Sequence, residues 1–270
     1  MSDGWRVEQL DTSLWALDDR GEDSVYLVEG RERALCIDAG LYGSRLMPVI
    51  RTLTDRPVDL VLTHAHIDHM RHANEFDRVF IPRADVLFWR ENLWTLYALG
   101  HLFYRVPPTP FFMKRAVPFE PGRVFDLGGA ALTAIPAPGH TPGSTVFADD
   151  AHRALFTGDA FGSGEAAWMY LKGCMDVGAY RDSLRELLPR LEPYRDYRFL
   201  GGHRLQCGPS DLHPHGHPLT IRVAEDMEVL CERMLSGEVP GKRVRLVPWL
   251  RLKVYSYGHA SMVQRRSKIR

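Results

Sequence analysis

The chain has 270 residues, 45% of them hydrophobic, and its 34 basic and 34 acidic residues leave a formal net charge of zero. This composition allows a sizeable globular core, and the balanced charge argues against a nucleic-acid partner or an anionic membrane surface. No apolar stretch is long enough to span a bilayer, and the N-terminus lacks the features of a signal peptide. The four cysteines are scattered without a paired motif, so we expect reduced thiols in a cytoplasmic protein.

The first part of the chain predicts an antiparallel meander followed by a crossover helix. Alternating apolar residues, separated by glycine, indicate strands at 5–10, 13–17, 24–28 and 34–37. Apolar residues at helical spacing indicate a helix over 44–54. The β-branched and leucine-rich run at 58–62 then predicts a buried strand.

The loop after this strand concentrates side chains that bind metals. It reads Thr63-His64-Ala65-His66-Ile67-Asp68-His69, which places three histidines and one carboxylate within six positions. Imidazole and carboxylate are the ligands that zinc and similar divalent metals prefer. Four such groups on one short loop can face two neighbouring metal positions.

Residues 83–121, which follow a predicted strand at 77–81, are rich in aromatic side chains and prolines. We expect an insertion within a single domain that spans 1–270. The functional interpretation is a lid that holds an apolar part of a small-molecule substrate over the metals. The alternative is that the aromatic side chains pack in the core or in a homodimer contact. The substrate-contacting residues predicted on the first interpretation are Phe111, Phe112, Trp168 and Tyr170.

Three more ligand-type residues follow, each beside glycine at the end of a predicted strand. His140 lies in Gly139-His140-Thr141-Pro142-Gly143, Asp159 in Thr157-Gly158-Asp159, and His203 in Gly201-Gly202-His203. Glycine lets the backbone turn sharply at these points. The strands predicted in this part of the chain cover 123–127, 131–135, 144–147 and 154–156.

The C-terminal part predicts two helices, at 180–191 and 220–235, and closing strands within 244–263. Between the helices, His213, His215 and His217 alternate with proline and glycine. This stretch is either an accessory metal site or an irregular loop, and proline and glycine favour the loop.

The four ligand motifs, in this order, resemble the metallo-β-lactamase superfamily. The resemblance runs from about Asp38 to His203 and implies an α+β fold, a four-layer αββα sandwich. It also implies two bound divalent metal ions, most readily zinc, although iron or manganese also accept these ligands. Asp38 would orient the histidine loop by accepting a hydrogen bond. The implied ligands are His64, His66 and His140 for one metal, Asp68, His69 and His203 for the other, and Asp159 as the bridge.

Two metals that share a bridging hydroxide predict hydrolysis of an ester, thioester or lactone of a small molecule. Asp68 is the predicted catalytic residue, because it could orient the hydroxide and handle a proton. By resemblance, Asp159 favours the thioesterase- and lactonase-like branch over the true β-lactamases. However, residues 70–73 depart from the glycine pair that usually follows the histidine block in that branch. Two alternatives are phosphodiester hydrolysis at the same site, and a metal-containing ligand-binding or redox protein with little hydrolytic turnover.

Overall fold

The computed structural model describes residues 4–88, 116–162, 166–203, 218–246 and 250–270. Phe111 and Phe112 lie outside these ranges, as do His213, His215 and His217. The predictions about these five residues, and about the middle of the aromatic segment, therefore stay predictions.

The first sheet contains seven strands in sequence order. They are Trp5–Asp11 (β1), Leu14–Asp19 (β2), Asp23–Glu29 (β3), Ala34–Ile37 (β4), Val58–Val61 (β5), Val79–Pro82 (β6) and Ala116–Phe119 (β7). Strands β1 to β4 pair antiparallel, which confirms the predicted meander. Strands β4 to β7 pair in parallel, so their carboxyl ends meet at one edge of the sheet. Asp38 follows β4 and the histidine-rich loop follows β5, so this pairing brings them side by side.

The second sheet contains five strands. They are Val124–Asp126 (β8), Ala131–Pro136 (β9), Thr145–Asp149 (β10), Ala154–Gly158 (β11) and Arg198–Gly201 (β13). Strands β8 to β11 pair antiparallel, whereas β13 runs parallel to β11 with Gly201 opposite Gly158. Asp159 and His203 follow these two parallel strands, so they share one edge of this sheet.

The C-terminal region forms a third sheet, which the sequence analysis did not predict as a separate unit. Its strands, in spatial order, are Ala167–Trp168 (β12), Ala260–Arg265 (β16), Leu252–Tyr257 (β15) and Lys242–Val244 (β14). A short helix, Ile67–Met70 (α2), forms the end of the histidine-rich loop. The two predicted C-terminal helices are confirmed as Val177–Leu191 (α3) and Ile221–Ser236 (α4). They pack against each other, and α4 also packs against β15 and β16.

Three hydrophobic clusters separate four layers of structure. One cluster lies between the two large sheets and includes Ile37 and Phe147. A second joins the outer face of the first sheet to Ile50, which lies in the short helix Met47–Ile50 (α1). The third joins the outer face of the second sheet to Leu184 and Leu230 of the long helices. This arrangement is an αββα sandwich, which confirms the predicted fold class.

Two local predictions are wrong in extent. The helix expected over 44–54 is regular only at α1, because the amides of Thr52 and Leu53 bond carbonyls three residues back instead of four. The end of the segment 83–121 is β7, an edge strand of the first sheet, although no strand was predicted there. The ring of Phe119 in β7 packs 5.5 Å from that of Phe125, so this aromatic residue belongs to the core.

Two expectations from composition concern cysteines and membranes. Cys36, Cys174 and Cys231 are free and buried, as expected of reduced thiols, and Cys207 lies outside the described ranges. Within those ranges, no helix is both long enough and apolar enough to cross a membrane.

Candidate metal centre

The structure brings the seven predicted ligand residues together where the strand ends of the two large sheets meet. They form three overlapping groups, and within each group the ligand atoms lie within 4.8 Å of one another. The groups are His64 with His66 and His140, His64 with His69 and Asp159, and Asp68 with His69 and His203.

The first group consists of three buried imidazoles whose nitrogens converge on one point. Nδ1 of His66 lies 3.2 Å from Nε2 of His64 and 2.8 Å from Nε2 of His140. One ring nitrogen carries at most one proton, so hydrogen bonding alone cannot satisfy all three. A tetrahedral zinc ion with Zn–N bonds of about 2.1 Å separates its ligand nitrogens by about 3.4 Å. The trio therefore fits a zinc ion after small shifts of the imidazole rings that move their nitrogens apart.

Burial sets the protonation of this trio. It lowers the pKa of His64 well below its usual value, that of His66 to about 3, and that of His140 in the same direction. Desolvation disfavours the imidazolium form, so all three rings are neutral near pH 7. Neutral imidazole is the form that ligates metals.

Asp68, His69 and His203, called the second group from here on, lie on the other side of Asp159 from the trio of imidazoles, which is called the first group. Oδ2 of this carboxylate is 3.3 Å from Nε2 of His203 and 3.4 Å from Nε2 of His140, and its Oδ1 is 3.7 Å from Nε2 of His69. The buried Nε2 of His69 makes no hydrogen bond in the described part of the chain. Asp159 thus lies between the two groups, where a bridging ligand belongs. Asp68, at 3.9 Å from Nε2 of His203, completes the second group.

The electrostatics of the second group differ from those of the first. Burial by itself lowers the pKa of His69 and of His203, but nearby carboxylates raise both well above the usual value. Burial opposes ionisation of Asp159, yet His203 and His69 hold its pKa well below its usual value. The carboxylates around the second group therefore favour a positive charge at this place, which is the charge that a divalent metal ion would supply.

Asp38 holds the histidine loop from behind, in the place that the resemblance implies. Its Oδ2 lies 2.8 Å from Nδ1 of His69 and accepts a 2.7 Å hydrogen bond from the Thr63 hydroxyl, and its Oδ1 accepts one from the Thr63 amide. Because Nδ1 of His69 donates to this carboxylate, Nε2 is left to face the second metal position. Asp38 has a φ of +60°, a conformation uncommon outside glycine, asparagine and aspartate.

We predict that Asp38→Asn weakens zinc binding at the second position by about tenfold to a hundredfold. Asparagine tolerates the same backbone conformation, but its amide NH₂ would face Nδ1 of His69 and favour the tautomer with a protonated Nε2. Zinc affinity measured by chelator competition checks this expectation. Asp59→Asn is the control, because Asp59 pairs with Arg33 and Arg78 away from the ligands. Equal affinity in the wild type and Asp38→Asn would contradict it.

Two carboxylates that contact the ligands or their loops, Asp23 and Asp85, were not predicted from the sequence. Oδ1 of Asp23 lies 3.0 Å from Nδ1 of His203, and burial raises the pKa of Asp23 to about 6 although His203 lowers it. Asp85 accepts hydrogen bonds from residues next to the ligands of the first group. Neither lies in a ligand motif, since Asp23 begins β3 and Asp85 lies at the start of the aromatic-rich segment 83–121, so no local pattern pointed to them.

Glycine is required at the centre because backbone and ligands approach closely there. A Cβ on Gly202 would lie 2.6 Å from Oδ1 of Asp159 and 2.7 Å from Cε1 of His69. A Cβ on Gly158, whose φ is +48°, would collide with the Thr63 side chain. These contacts give a physical reason for the glycines that precede Asp159 and His203.

We predict that Gly202→Ala lowers zinc occupancy of the second position more than that of the first. The added methyl group must push Asp159 or His69 out of place, whereas the trio of His64, His66 and His140 is not touched directly. Zinc stoichiometry after reconstitution and gel filtration checks this. Gly241→Ala is the control, because it crowds Tyr255 far from the ligands. Two tightly bound ions in Gly202→Ala would show the prediction to be wrong.

Of the four predicted substrate-contacting residues, Trp168 and Tyr170 lie in the described part of the chain. Tyr170 is buried against Leu252 and Val263, and its ring lies 5.9 Å from that of the partly buried Trp168. The Trp168 carbonyl accepts a hydrogen bond from the Cys174 thiol, whose sulfur is 4.0 Å from Nδ1 of His140. These contacts join the Trp168 backbone to His140 through Cys174, and substrate contact by Trp168 or Tyr170 stays a prediction.

Phe88, at the end of helical residues 83–88, lies directly against the ligands. Its buried ring is 6.0 Å from that of His66 in an edge-to-face arrangement, and it packs closely on Gly173. The described beginning of the aromatic segment therefore forms one wall of the metal centre.

An αββα sandwich with a histidine–aspartate cluster at the edge between its sheets defines a scaffold for metal-dependent hydrolysis. Residues 18–203 match the metallo-beta-lactamase superfamily, and the chain belongs to this family. It is a hydrolase of that superfamily with a cluster of side chains able to bind metal.

Curated relatives include two proteins described as acyl-coenzyme A thioesterase MBLAC2. The Gallus gallus protein is 30% identical over 189 residues, which cover 62% of this chain and 68% of that protein. The Homo sapiens protein is 29% identical over 191 residues with the same coverage. Protein YobT of Bacillus subtilis is 32% identical over 160 residues, 54% of this chain and 67% of YobT.

Solved structures share the fold. The superfamily protein ST1585 from Sulfolobus tokodaii aligns with a TM-score of 0.54 at 21% identity, over 92% of each chain. A metallo-beta-lactamase from Pontibacter korlensis aligns with a TM-score of 0.58 at 17% identity, over 84% of this chain and 99% of that one. At these identities the likeness concerns the fold alone.

Proposed function

We propose that the protein is a dinuclear metal hydrolase that cleaves the thioester of a small molecule. The observation that carries the proposal is the position of Asp159, with oxygens 3.3 to 3.7 Å from ligand nitrogens of both groups. A carboxylate in this position can bridge two metals. Thioester is preferred among the predicted substrates because the MBLAC2 relatives are described as acyl-coenzyme A thioesterases.

Two zinc ions held by these residues would lower the pKa of a shared water molecule and polarise the carbonyl under attack. Side chains of the protein orient the water and carry the proton. Asp68 has the most exposed side chain of the ligand set, at 23% compared with 15% for His203, so it faces the incoming substrate. Its carboxylate can orient the attacking water, because one oxygen can point to the metals and the other to the substrate.

In the proposed reaction, Asp68 carries a proton from water to the leaving group. Oxygen from water forms a bond to the acyl carbon, and the carbon–sulfur bond breaks. The proton released by water passes to Asp68 and then to the leaving sulfur, which departs as the thiol. Phe88 and the surrounding buried side chains exclude other water, which strengthens the electrostatic interactions at the centre.

A substrate panel tests the proposal. Zinc-loaded protein is assayed with acyl-coenzyme A, by release of free thiol, and with a p-nitrophenyl ester, a lactone and bis-p-nitrophenyl phosphate. We expect the highest kcat/KM for the thioester, lost on chelation and restored by zinc. A higher kcat/KM for the lactone or phosphodiester would overturn the thioester assignment. Zinc-independent turnover would overturn the metal mechanism.

A further inference from the structure

Asp85 is a fully buried carboxylate that lies outside the ligand motifs. It belongs to the helical residues 83–88, directly after β6, and it is 0% exposed. Burial raises its pKa to about 6, although hydrogen bonds from Thr141, Ala65 and Gly143 lower it. A carboxylate this deeply buried is costly unless it is fully hydrogen-bonded, so its partners indicate what it does.

Those partners belong to two different ligand loops. Oδ2 of Asp85 accepts a 2.8 Å hydrogen bond from the amide of Ala65, the residue between His64 and His66. The same oxygen accepts a 2.8 Å hydrogen bond from the hydroxyl of Thr141, which directly follows His140. One oxygen atom therefore links the loop after β5 in the first sheet to the loop after β9 in the second.

The second oxygen adds another connection to the His140 loop. Oδ1 accepts a 2.6 Å hydrogen bond from the Gly143 amide. A Cβ at Gly143 would lie 2.7 Å from this oxygen and 2.9 Å from the Asp85 amide nitrogen, so glycine is what allows the approach. All three donors are N–H or O–H groups, which suits an acceptor-only carboxylate.

We propose that Asp85 is a positioning residue for the first metal, because it fixes the distance between the loop that carries His64 and His66 and the loop that carries His140. The inference rests on the metal centre proposed above. Without the carboxylate, three buried donors lose their acceptor and the two loops lose the link that runs through Asp85. The imidazole nitrogens would then no longer be held at 2.8 to 3.2 Å from one another.

The test compares Asp85→Asn with Asp149→Asn. Asp149 is an equally buried carboxylate that caps the turn between β10 and β11 and binds His152, and it touches no ligand. Zinc affinity of the full chain is measured by competition with a chromogenic chelator, and thermal unfolding of the metal-free protein is measured in parallel. We expect Asp85→Asn to lose about tenfold to a hundredfold in affinity for the zinc held by His64, His66 and His140. We expect Asp149→Asn to lose thermal stability without this loss.

A second comparison covers the case in which Asp85→Asn does not fold. Thr141→Val removes one of the three donors with little change in shape, and Thr141→Ser keeps the hydroxyl. We expect Thr141→Val to bind the first zinc more weakly than Thr141→Ser, which should match the wild type.

The outcomes separate this inference from the proposed function. If the wild type binds no zinc, the metal centre itself is wrong. If the wild type binds zinc and Asp85→Asn and Thr141→Val bind it equally well, Asp85 serves the fold alone and the inference is overturned.

Discussion

Replacement of Asp159 by alanine is expected to lower kcat/KM by at least about 10²- to 10³-fold, as when a group that stabilises developing charge is removed. The oxygens of this carboxylate lie 3.3 to 3.7 Å from ligand nitrogens of both groups, which is the position of the proposed bridge. Its loss also removes one of the negative charges that raise the pKa values of His69 and His203, which keep Asp38 and Asp23 respectively as neighbours. The variant should therefore hold at most about one zinc ion per chain.

Elemental analysis and thiol-release kinetics on the same samples check this prediction. Asp149→Ala is the matched control, because Asp149 is equally buried but lies in a turn away from the ligands. The control should keep both metals and most of the activity at temperatures below its unfolding transition. An Asp159→Ala protein with two tightly bound ions and near-normal kcat/KM would refute the bridging role.

Replacement of Asp68 by asparagine is expected to lower kcat by about 10²- to 10⁴-fold, the range for loss of a general acid–base group. Asparagine keeps the shape and one oxygen, but it cannot accept the proton from water or pass it to the leaving sulfur. The zinc held by His64, His66 and His140 should remain, because Asp68 is not part of that trio. KM should change little, since loss of a proton carrier slows the chemical step and leaves ground-state binding largely intact.

The separation of kcat from KM, with zinc content measured alongside, makes this test specific. Asp68→Glu is compared with Asp68→Asn, because glutamate keeps the carboxylate at a displaced position and should retain more of kcat than asparagine does. A kcat within about threefold of the wild type in Asp68→Asn would remove Asp68 from the proton pathway.

Much of the fold was predictable because its signals are local. The strands of the meander are short runs rich in apolar residues with glycine between them, and the long helices carry an apolar stripe at helical spacing. β7 was missed because Ala116–Phe119 contains Pro118, which cannot donate to a ladder and usually argues against a strand. It is tolerated here because β7 lies at the edge of the first sheet.

The ligand residues were predictable for a different reason, because metal ligands cluster in short motifs whose spacing can be read from the sequence. Of the carboxylates that hydrogen-bond the ligand loops, only Asp38 was predicted from the sequence. Asp23 reaches His203 only because β3 bridges to the end of β13, and Asp85 reaches two loops only because both sheets meet there. Contacts of this kind join residues up to 180 positions apart, since 203 − 23 = 180, and no local pattern records them.

The most direct test of the dinuclear mechanism is stepwise zinc reconstitution of the metal-free protein. Bound zinc per chain and thiol release from acyl-coenzyme A are followed together. We predict that two ions bind per chain and that activity rises mainly with the second, because Asp159 and Asp68 act only when both positions are filled. Full activity with one ion or none, or saturation at less than about one ion per chain, would contradict this account.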